Sequence, residues 1–229
     1  AGGLERYFPE TFSSISRIVR SQRIIVVGSG PAGLFAALRL LDHGFEVTLL
    51  ERGRKVEVRD RDVELLKTKG ILDVESNVLF GEGGAGTYSD GKLTTRTSRP
   101  EQQWFFETLV RFGAKSEVLY DAKPHVGTDS LSKIVAAVRA EIVSRGGEVV
   151  FGEKADKLIS ENGSVSDVGC ASRKEFRGAA VILATGHSAR DTYSMLEASG
   201  VALEKKGFAV GMRIEHPAEF INAAQFGKF

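Results

Sequence analysis

The sequence predicts an α/β fold, a doubly wound parallel sheet with a β-meander insertion, and three observations carry that prediction. Ile24 to Val27 is an unbroken β-branched run, the mark of a strand covered on both faces. A glycine-spaced turn, Gly28 to Leu34, follows it and leads into a helical apolar period and a second apolar run. Much later, Ala180 to Ala184 is another continuous apolar run, closed by Thr185 and Gly186.

Each element can be justified in turn. The first helix is expected from Pro31 to about Asp42, because Leu34, Ala37, Leu38 and Leu41 share one face and Gly44 provides a stop. Glu46 to Leu50 is the second strand, which completes a βαβ unit with a right-handed crossover. A helix over Val56 to Lys69 carries mixed charges and therefore a solvated face, and a glycine-rich passage, Gly81 to Lys92, follows. Beyond it the pattern predicts a helix from Glu101 to Phe112 and an extended segment to Gly127. A helix over Ser130 to Ser144 comes next, capped by Asp129 beside Thr128. Four short strands are expected at Glu148 to Phe151, Ala155 to Ser160, Val165 to Ser172 and Glu175 to Arg177, the middle pair split by a turn at Glu161-Asn162-Gly163. After the Ala180 strand come a helix near Ala189 to Ser199, a strand from Phe208 to Glu215 and a helix begun by Pro217. Residues 1–22 are read as a lead-in, 23–206 as the main domain with its meander at about 148–177, and 207–229 as the start of a second domain.

Composition narrows the function classes. With 31 Lys and Arg against 30 Asp and Glu over 229 residues, net charge nominates no nucleic acid. A 42% hydrophobic fraction belongs to a chain that folds, and no apolar run has the roughly 18 residues a membrane span needs. One cysteine, Cys170, allows no intrachain disulfide and no cysteine-rich zinc site, so a reducing cytoplasm is the expected compartment. Glycine is the one excess, 26 residues gathered in a few clusters.

Those clusters carry the chemistry. In GSGPAGL, Gly28 permits a tight turn, Gly30 lets the backbone approach a pyrophosphate, and Gly33 lets helix and strand pack closely. The helix N-terminus behind them offers N–H groups and a partial positive charge, so the loop suits an anion. Glu51, at the tip of the next strand and eighteen residues after the third glycine, can accept hydrogen bonds from ribose hydroxyls and would repel a 2′-phosphate. FAD or NAD is thereby favoured over NADP at this site. The second cluster, FGEGGAGTYSDGKLTTR from Phe80 to Arg96, suggests backbone lying against something flat or bulky. The third, VILATGH, ends a buried strand at the sheet edge where ligands sit.

Taken in this order, the three clusters make the chain resemble the FAD-binding flavoproteins of the glutathione reductase-like fold, and among them the family of uncharacterised FAD-dependent dehydrogenases. The resemblance runs from Arg23 to Gly227 through GSGPAGLFAAL, LERG, SNVLFGEGGAGTYSDGKLTTR, AKPHVGTDSL, ATGHSARDTY and GMRIEHPAEFI. It implies a Rossmann-like FAD-binding domain and a flavin-dependent oxidoreductase acting on a small-molecule substrate or electron acceptor, with NAD(P)H as a candidate electron donor. By the same resemblance Gly28, Ser29, Gly30, Pro31, Ala32 and Gly33 would contact the pyrophosphate, Glu51 the ribose and Arg52 the edge of the adenosine. Gly84, Ala85, Gly86, Thr87 and Lys92 would run along the ribityl chain and flavin. Ala184, Thr185 and Gly186 would close over the adenine-side half, with backbone near Lys154 or Ala155 reaching the adenine. Family members continue past the equivalent of Phe229, where a later strand and helix complete the flavin side, so the chain is expected to be part of a longer protein.

Two other readings stay open: a module that holds a dinucleotide without turnover, and an NAD-dependent dehydrogenase. His43, His125, His187 and His216 are too scattered for metal-ligand spacing, and no acid or base is assigned. Lys92 and Arg96 could stabilise a reduced flavin or bind an acidic substrate. Cys170, Tyr88 and Trp104 read as packing residues. The sequence leaves substrate and oligomeric state open.

Overall fold

The computed structural model describes residues 21–89, 91–93, 100–121, 124–161, 163–212 and 214–227. The lead-in over 1–20, Arg96 and Asn162 of the expected turn lie outside them, as do the side chains of Thr128 and Asp129.

Four parallel strands form the central sheet: β1 (Arg23–Val27), β2 (Glu46–Glu51), β3 (Glu148–Phe151) and β7 (Ala180–Leu183), in the order β3-β2-β1-β7. Their C-terminal ends are aligned, with Val27 opposite both Leu50 and Leu183, and Glu51 opposite Phe151. A second sheet is antiparallel and has three strands, β4 (Ala155–Glu161), β5 (Ser164–Cys170) and β6 (Glu175–Phe176). The meander therefore begins at Ala155, and the strand at Glu148–Phe151 belongs to the central sheet beside β2. Val149 and Val150 fall in different core clusters, as a strand covered on both faces requires.

Side-chain alternation along β1 and β2 separates the two cores. Val26, Val47 and Leu49 point to a helical layer in which α1 (Pro31–Asp42) packs with α3 (Pro100–Arg111) and α4 (Thr128–Ser144), through Leu34, Leu38, Leu109, Ile134 and Val138. Ile25, Val27 and Leu50 point the other way, onto Val168 and Cys170 of the meander. The sheet is covered on both faces, with the meander supplying the second layer.

The α2 helix (Val56–Lys69) has the solvated face its mixed charges predict, but its inner face is partly charged as well: beside Val56 and Val63, Arg59 is fully buried and Asp62 nearly so. The reason lies in the irregular stretch after the helix, whose carbonyls need donors. Arg59 donates from Nε to the Asn77 carbonyl at 2.8 Å and from Nη1 to the Glu82 carbonyl at 2.6 Å. Asp62 accepts from Ser76 Oγ at 2.6 Å and from Arg54 at 2.7 Å. A charged helix face thus anchors the backbone that carries the second glycine cluster.

Three boundaries also differ. The α4 helix starts at Thr128 with Gly127 as its N-cap, where Asp129 was expected to cap it. The segment before it includes a 3-10 turn, Ser116–Leu119. The strand expected over Phe208 to Glu215 is not formed among the described residues, because no neighbouring strand offers it a ladder of hydrogen bonds, and a strand without one has little stability. The helices α5 (Arg190–Ala198) and α6 (Ala218–Phe226) form close to where they were expected, with Pro217 as the N-cap of α6.

Candidate dinucleotide-binding site

The aligned C-terminal strand ends open onto a cavity of about 660 Å³. It is bounded by the turn after β1, the tip of β2, the second glycine cluster, the start of β4 and the turn after β7. Of the predicted site residues, Gly28, Gly30, Pro31, Ala32, Glu51, Arg52, Gly84, Ala85, Gly86, Ala155, Ala184, Thr185 and Gly186 all line it.

Local geometry explains why glycine stands in the first turn. Gly28 has φ +101°, and a Cβ there would overlap the Ala184 carbonyl. That closeness follows from the Ala184 N–H donating to the Val27 carbonyl at 2.7 Å, which holds the β7 turn beside the β1 turn. Gly33 packs against the carbonyl of Gly28 and leaves no room for a side chain. The first helical bond of α1 runs from the Leu34 N–H to the Gly30 carbonyl at 3.0 Å, and the N-cap Gly30 contributes no side-chain cap. The N–H groups of Ala32 and Gly33 precede that bond and are among the donors a helix start offers an anion. A bare backbone hollow suited to a diphosphate is therefore present.

The second glycine turn is tied to the first. The Gly83 N–H donates to the Ser29 carbonyl at 2.8 Å, and a Cβ on Gly84 would stand 3.1 Å from Gly30 Cα. Two backbones meet there with little between them.

Glu51 lines the cavity, yet it has an inward task that the sequence did not suggest. One carboxylate oxygen accepts from Ser29 N–H at 2.8 Å and Ser29 Oγ at 2.7 Å; the other accepts from Gly53 N–H at 2.9 Å and Gly81 N–H at 3.1 Å. A carboxylate has about four acceptor positions, so a ribose hydroxyl would join by sharing or displacing the Ser29 hydroxyl. A charge this buried must be satisfied by the protein itself.

Four predicted residues stand apart from the cavity wall. The Ser29 side chain is fully buried and turned to Glu51, and Gly33 lies beneath the turn. Thr87 is buried with its hydroxyl directed to the Glu82 carbonyl at 3.4 Å, and it faces a separate apolar cavity. Lys92 borders that second cavity as well, because its backbone forms a bridge with His125 that holds residues 91–93 away from the main hollow.

At the cavity mouth stands a cluster that the sequence reading missed. Arg52 donates to Asp191 at 2.7 and 3.1 Å and to Glu75 at 2.5 Å, and its guanidinium lies 4.4 Å from the centroid of the Phe80 ring. Lys154 joins through Asp191 at 2.7 Å. The Arg52 hydrogen bond holds the Asp191 carboxyl far below the ordinary carboxylate range, against the opposing effect of burial. Asp191 in the first turn of α5 was quoted in ATGHSARDTY without a role, and its position beside a helix N-terminus was the available signal.

A second buried carboxylate, Glu82, sits behind the second glycine turn. It accepts from the Val56 N–H and from Arg139, each at 2.8 Å, while its Oε1 has no partner among the described residues. Burial pushes its pKa up to about 7. Arg59 nearby keeps one unpartnered nitrogen, and burial lowers its pKa. Cys170 is buried under the meander and its thiol is pushed up to about 11, which leaves it unreactive. Among the described residues no cluster of three or more His, Cys, Asp or Glu could hold a metal ion, and no helix is long and apolar enough to cross a membrane.

With this geometry in view, the comparisons with known proteins are specific about the first βαβ unit. Residues 26–82 match the NAD(P)-binding Rossmann-like domain family. The fold of this stretch is Rossmann-like. Over 205 residues it is 46% identical to a Clostridium beijerinckii protein described as uncharacterized, a match that covers 90% of this chain and 38% of that one. It is 28% identical over 210 residues to the thiamine thiazole synthase of Aeropyrum pernix, covering 86% and 66% of the two chains. The crystal structure of Thermovibrio ammonificans THI4 aligns over 80% of this chain and 64% of that one at 19% identity, with a TM-score of 0.49. The chain thus spans well under half the length of the Clostridium protein.

Proposed function

We propose that this Rossmann domain binds FAD as the cofactor part of a flavin-dependent oxidoreductase that acts on a small molecule. The observation that carries the proposal is convergence. Three sequence-distant stretches, Gly28–Ala32, Gly84–Gly86 and Ala184–Gly186, meet with the β4 backbone at Ala155 around one cavity large enough for a dinucleotide. A nicotinamide site would need the first stretch but not the meander contact at Ala155.

The residues present fit the group. The diphosphate would lie at the Gly28–Gly30 turn and the α1 N-terminus, where a side chain on Gly28 would collide with the Ala184 carbonyl and push the two turns apart. The ribose would take up Glu51 in exchange for the Ser29 hydroxyl, and Arg52, fixed by Asp191 and Glu75, would wall the adenosine side. A bound flavin supplies hydride acceptance and return; the protein supplies position, electrostatics and exclusion of water.

A second reading, NAD in the same hollow, is favoured by the family model that matches residues 26–82. One experiment separates the two. Purified protein of natural length should be yellow, bleach on anaerobic reduction and hold FAD more tightly than NAD. A colourless protein that binds NAD or ADP and takes up no FAD would leave only the second reading.

A further inference from the structure

We propose that the small apolar cavity behind the second glycine turn binds a benzene-sized apolar group, the aryl or branched alkyl end of the substrate. That the neighbouring cavity holds a flavin rests on the function proposed above; the apolar site itself does not.

The cavity measures about 130 Å³ and is walled by Leu34, Phe35, Leu109, Ile134, Val135 and Val138, drawn from α1, α3 and α4. The Thr87 hydroxyl at its edge already faces the Glu82 carbonyl. A buried water needs two to four polar partners, whereas apolar cavities of about 150 Å³ lined by Leu, Ile and Phe stay dry and take up benzene or xenon. The walls from α1, α3 and α4 are apolar like those of the second class, while Thr87, Ser89 and Lys92 line the remaining, more open side.

Its relation to the dinucleotide cavity gives it a use. The two share Pro31 and Gly86 as walls. Gly83 and Gly84 have positive φ and close neighbours, so the fold requires glycine at both. Gly86 differs. Its φ is one that any residue adopts, and among the described residues a Cβ there would meet only Pro31 Cγ, at 3.9 Å. Neither strain nor crowding accounts for glycine at 86. What its missing side chain leaves open is the passage between the two cavities, through which a substrate can place its apolar end beside α4 and its reacting carbon beside the cofactor.

The test uses the natural-length protein with xenon and benzene as probes. Crystals under xenon pressure should show xenon among Leu109, Ile134 and Val138, and benzene should bind in solution by NMR titration. Filling the space with Val138→Phe, or with Leu131→Phe at a less buried wall should the first variant fail to fold, is expected to weaken benzene at least tenfold while ADP affinity stays within twofold. In flavin-loaded protein benzene should shift the flavin absorption band, and Gly86→Val, compared at equal flavin occupancy, should abolish that shift without abolishing benzene binding. Xenon absent from the cavity, or benzene affinity equal in wild type and both filled variants, overturns the proposal. A flavin band that still shifts in Gly86→Val overturns the passage. Failure of FAD to bind would instead remove the cofactor assignment, and xenon occupancy would still decide the apolar site.

Discussion

The two glycine turns that meet at the cavity are each braced by a buried glutamate, and the braces differ. Glu51 behind the first turn accepts four hydrogen bonds, three from backbone N–H groups and one from a hydroxyl. Glu82 behind the second accepts from one backbone N–H and one guanidinium, and one of its oxygens has no partner among the described residues. The first brace is saturated, so its turn is held in one shape whatever binds. The second is incomplete among the described residues, and burial pushes its pKa up to about 7, so the charge it offers Arg139 depends on pH. The turn after β1 is thus held through both carboxylate oxygens of its glutamate and the second turn through one.

The largest effect should come from removing the saturated brace. Glu51→Ala strands the N–H groups of Ser29, Gly53 and Gly81, each at a cost of about 1–3 kcal/mol. The expected result is a loss of roughly 3 kcal/mol or more in chemical denaturation, together with loss of dinucleotide binding in an ADP titration. If Glu51→Ala kept full stability but lost binding, the carboxylate would serve the ligand alone and the comparison would fail. Gly28→Ala comes next. It combines a left-handed φ with an overlap on the Ala184 carbonyl, worth about 2–4 kcal/mol, and should abolish ADP binding even where the protein still folds.

Glu82 gives the pH-dependent test. Its native pKa of about 7 stands above its ordinary value of 4.5, so between those values the folded state holds more protons than the unfolded one. Stability from this group is therefore present below pH 4.5 and is lost as pH rises through 7, an effect of the order of 1–3 kcal/mol. Glu82→Gln should flatten that slope and be more stable than wild type at pH 8, as read from denaturation midpoints across pH 5 to 8. Equal slopes in the two proteins would show that Arg139 and the Val56 N–H keep Glu82 ionised throughout.

How much of this was legible in the sequence follows the same division. The saturated half was readable because its causes are local. The GSGPAG spacing, the β-branched run before it and the acid at the tip of the next strand all act within one βαβ unit. Only the company kept by Glu51 was hidden, since Gly81 reaches it by way of a long excursion through α2. The second half depends on contacts between distant segments. Arg59 looks like one surface cation among many on a charged helix and is fully buried, because its partners are carbonyls, which carry no sequence signature. Arg52, Glu75, Lys154 and Asp191 come from four separate elements and have no common spacing. Lys92 was placed with the cofactor residues because it sits in the same glycine-rich text, and its bridge to His125 takes it elsewhere. The period-2 run from Phe208 to Ile214 was a true strand pattern, but pattern alone does not supply a neighbour to pair with.

The smallest effect sharpens the comparison at its outer edge. Tyr88 closes the 3-10 turn Gly84–Tyr88, its hydroxyl bonded to Asp60 at 2.6 Å and its ring 4.8 Å from the Arg59 guanidinium. Burial and the Asp60 bond push the phenol well above its usual range, so it stays neutral at any working pH and cannot act as an acid or base there. Tyr88→Phe removes a hydrogen bond at an exposed carboxylate but keeps the ring over Arg59, and should cost at most about 0.5–1 kcal/mol. Tyr88→Leu also removes the cation–π contact and should cost about 0.5–1 kcal/mol more. Both should leave ADP affinity unchanged, since Tyr88 faces an open groove beside Val56 and Lys133 and not the dinucleotide cavity. A tenfold loss of ADP affinity in Tyr88→Phe would mean that the second turn transmits its outer contacts to the nucleotide, and that Glu82 is not the element that sets its shape.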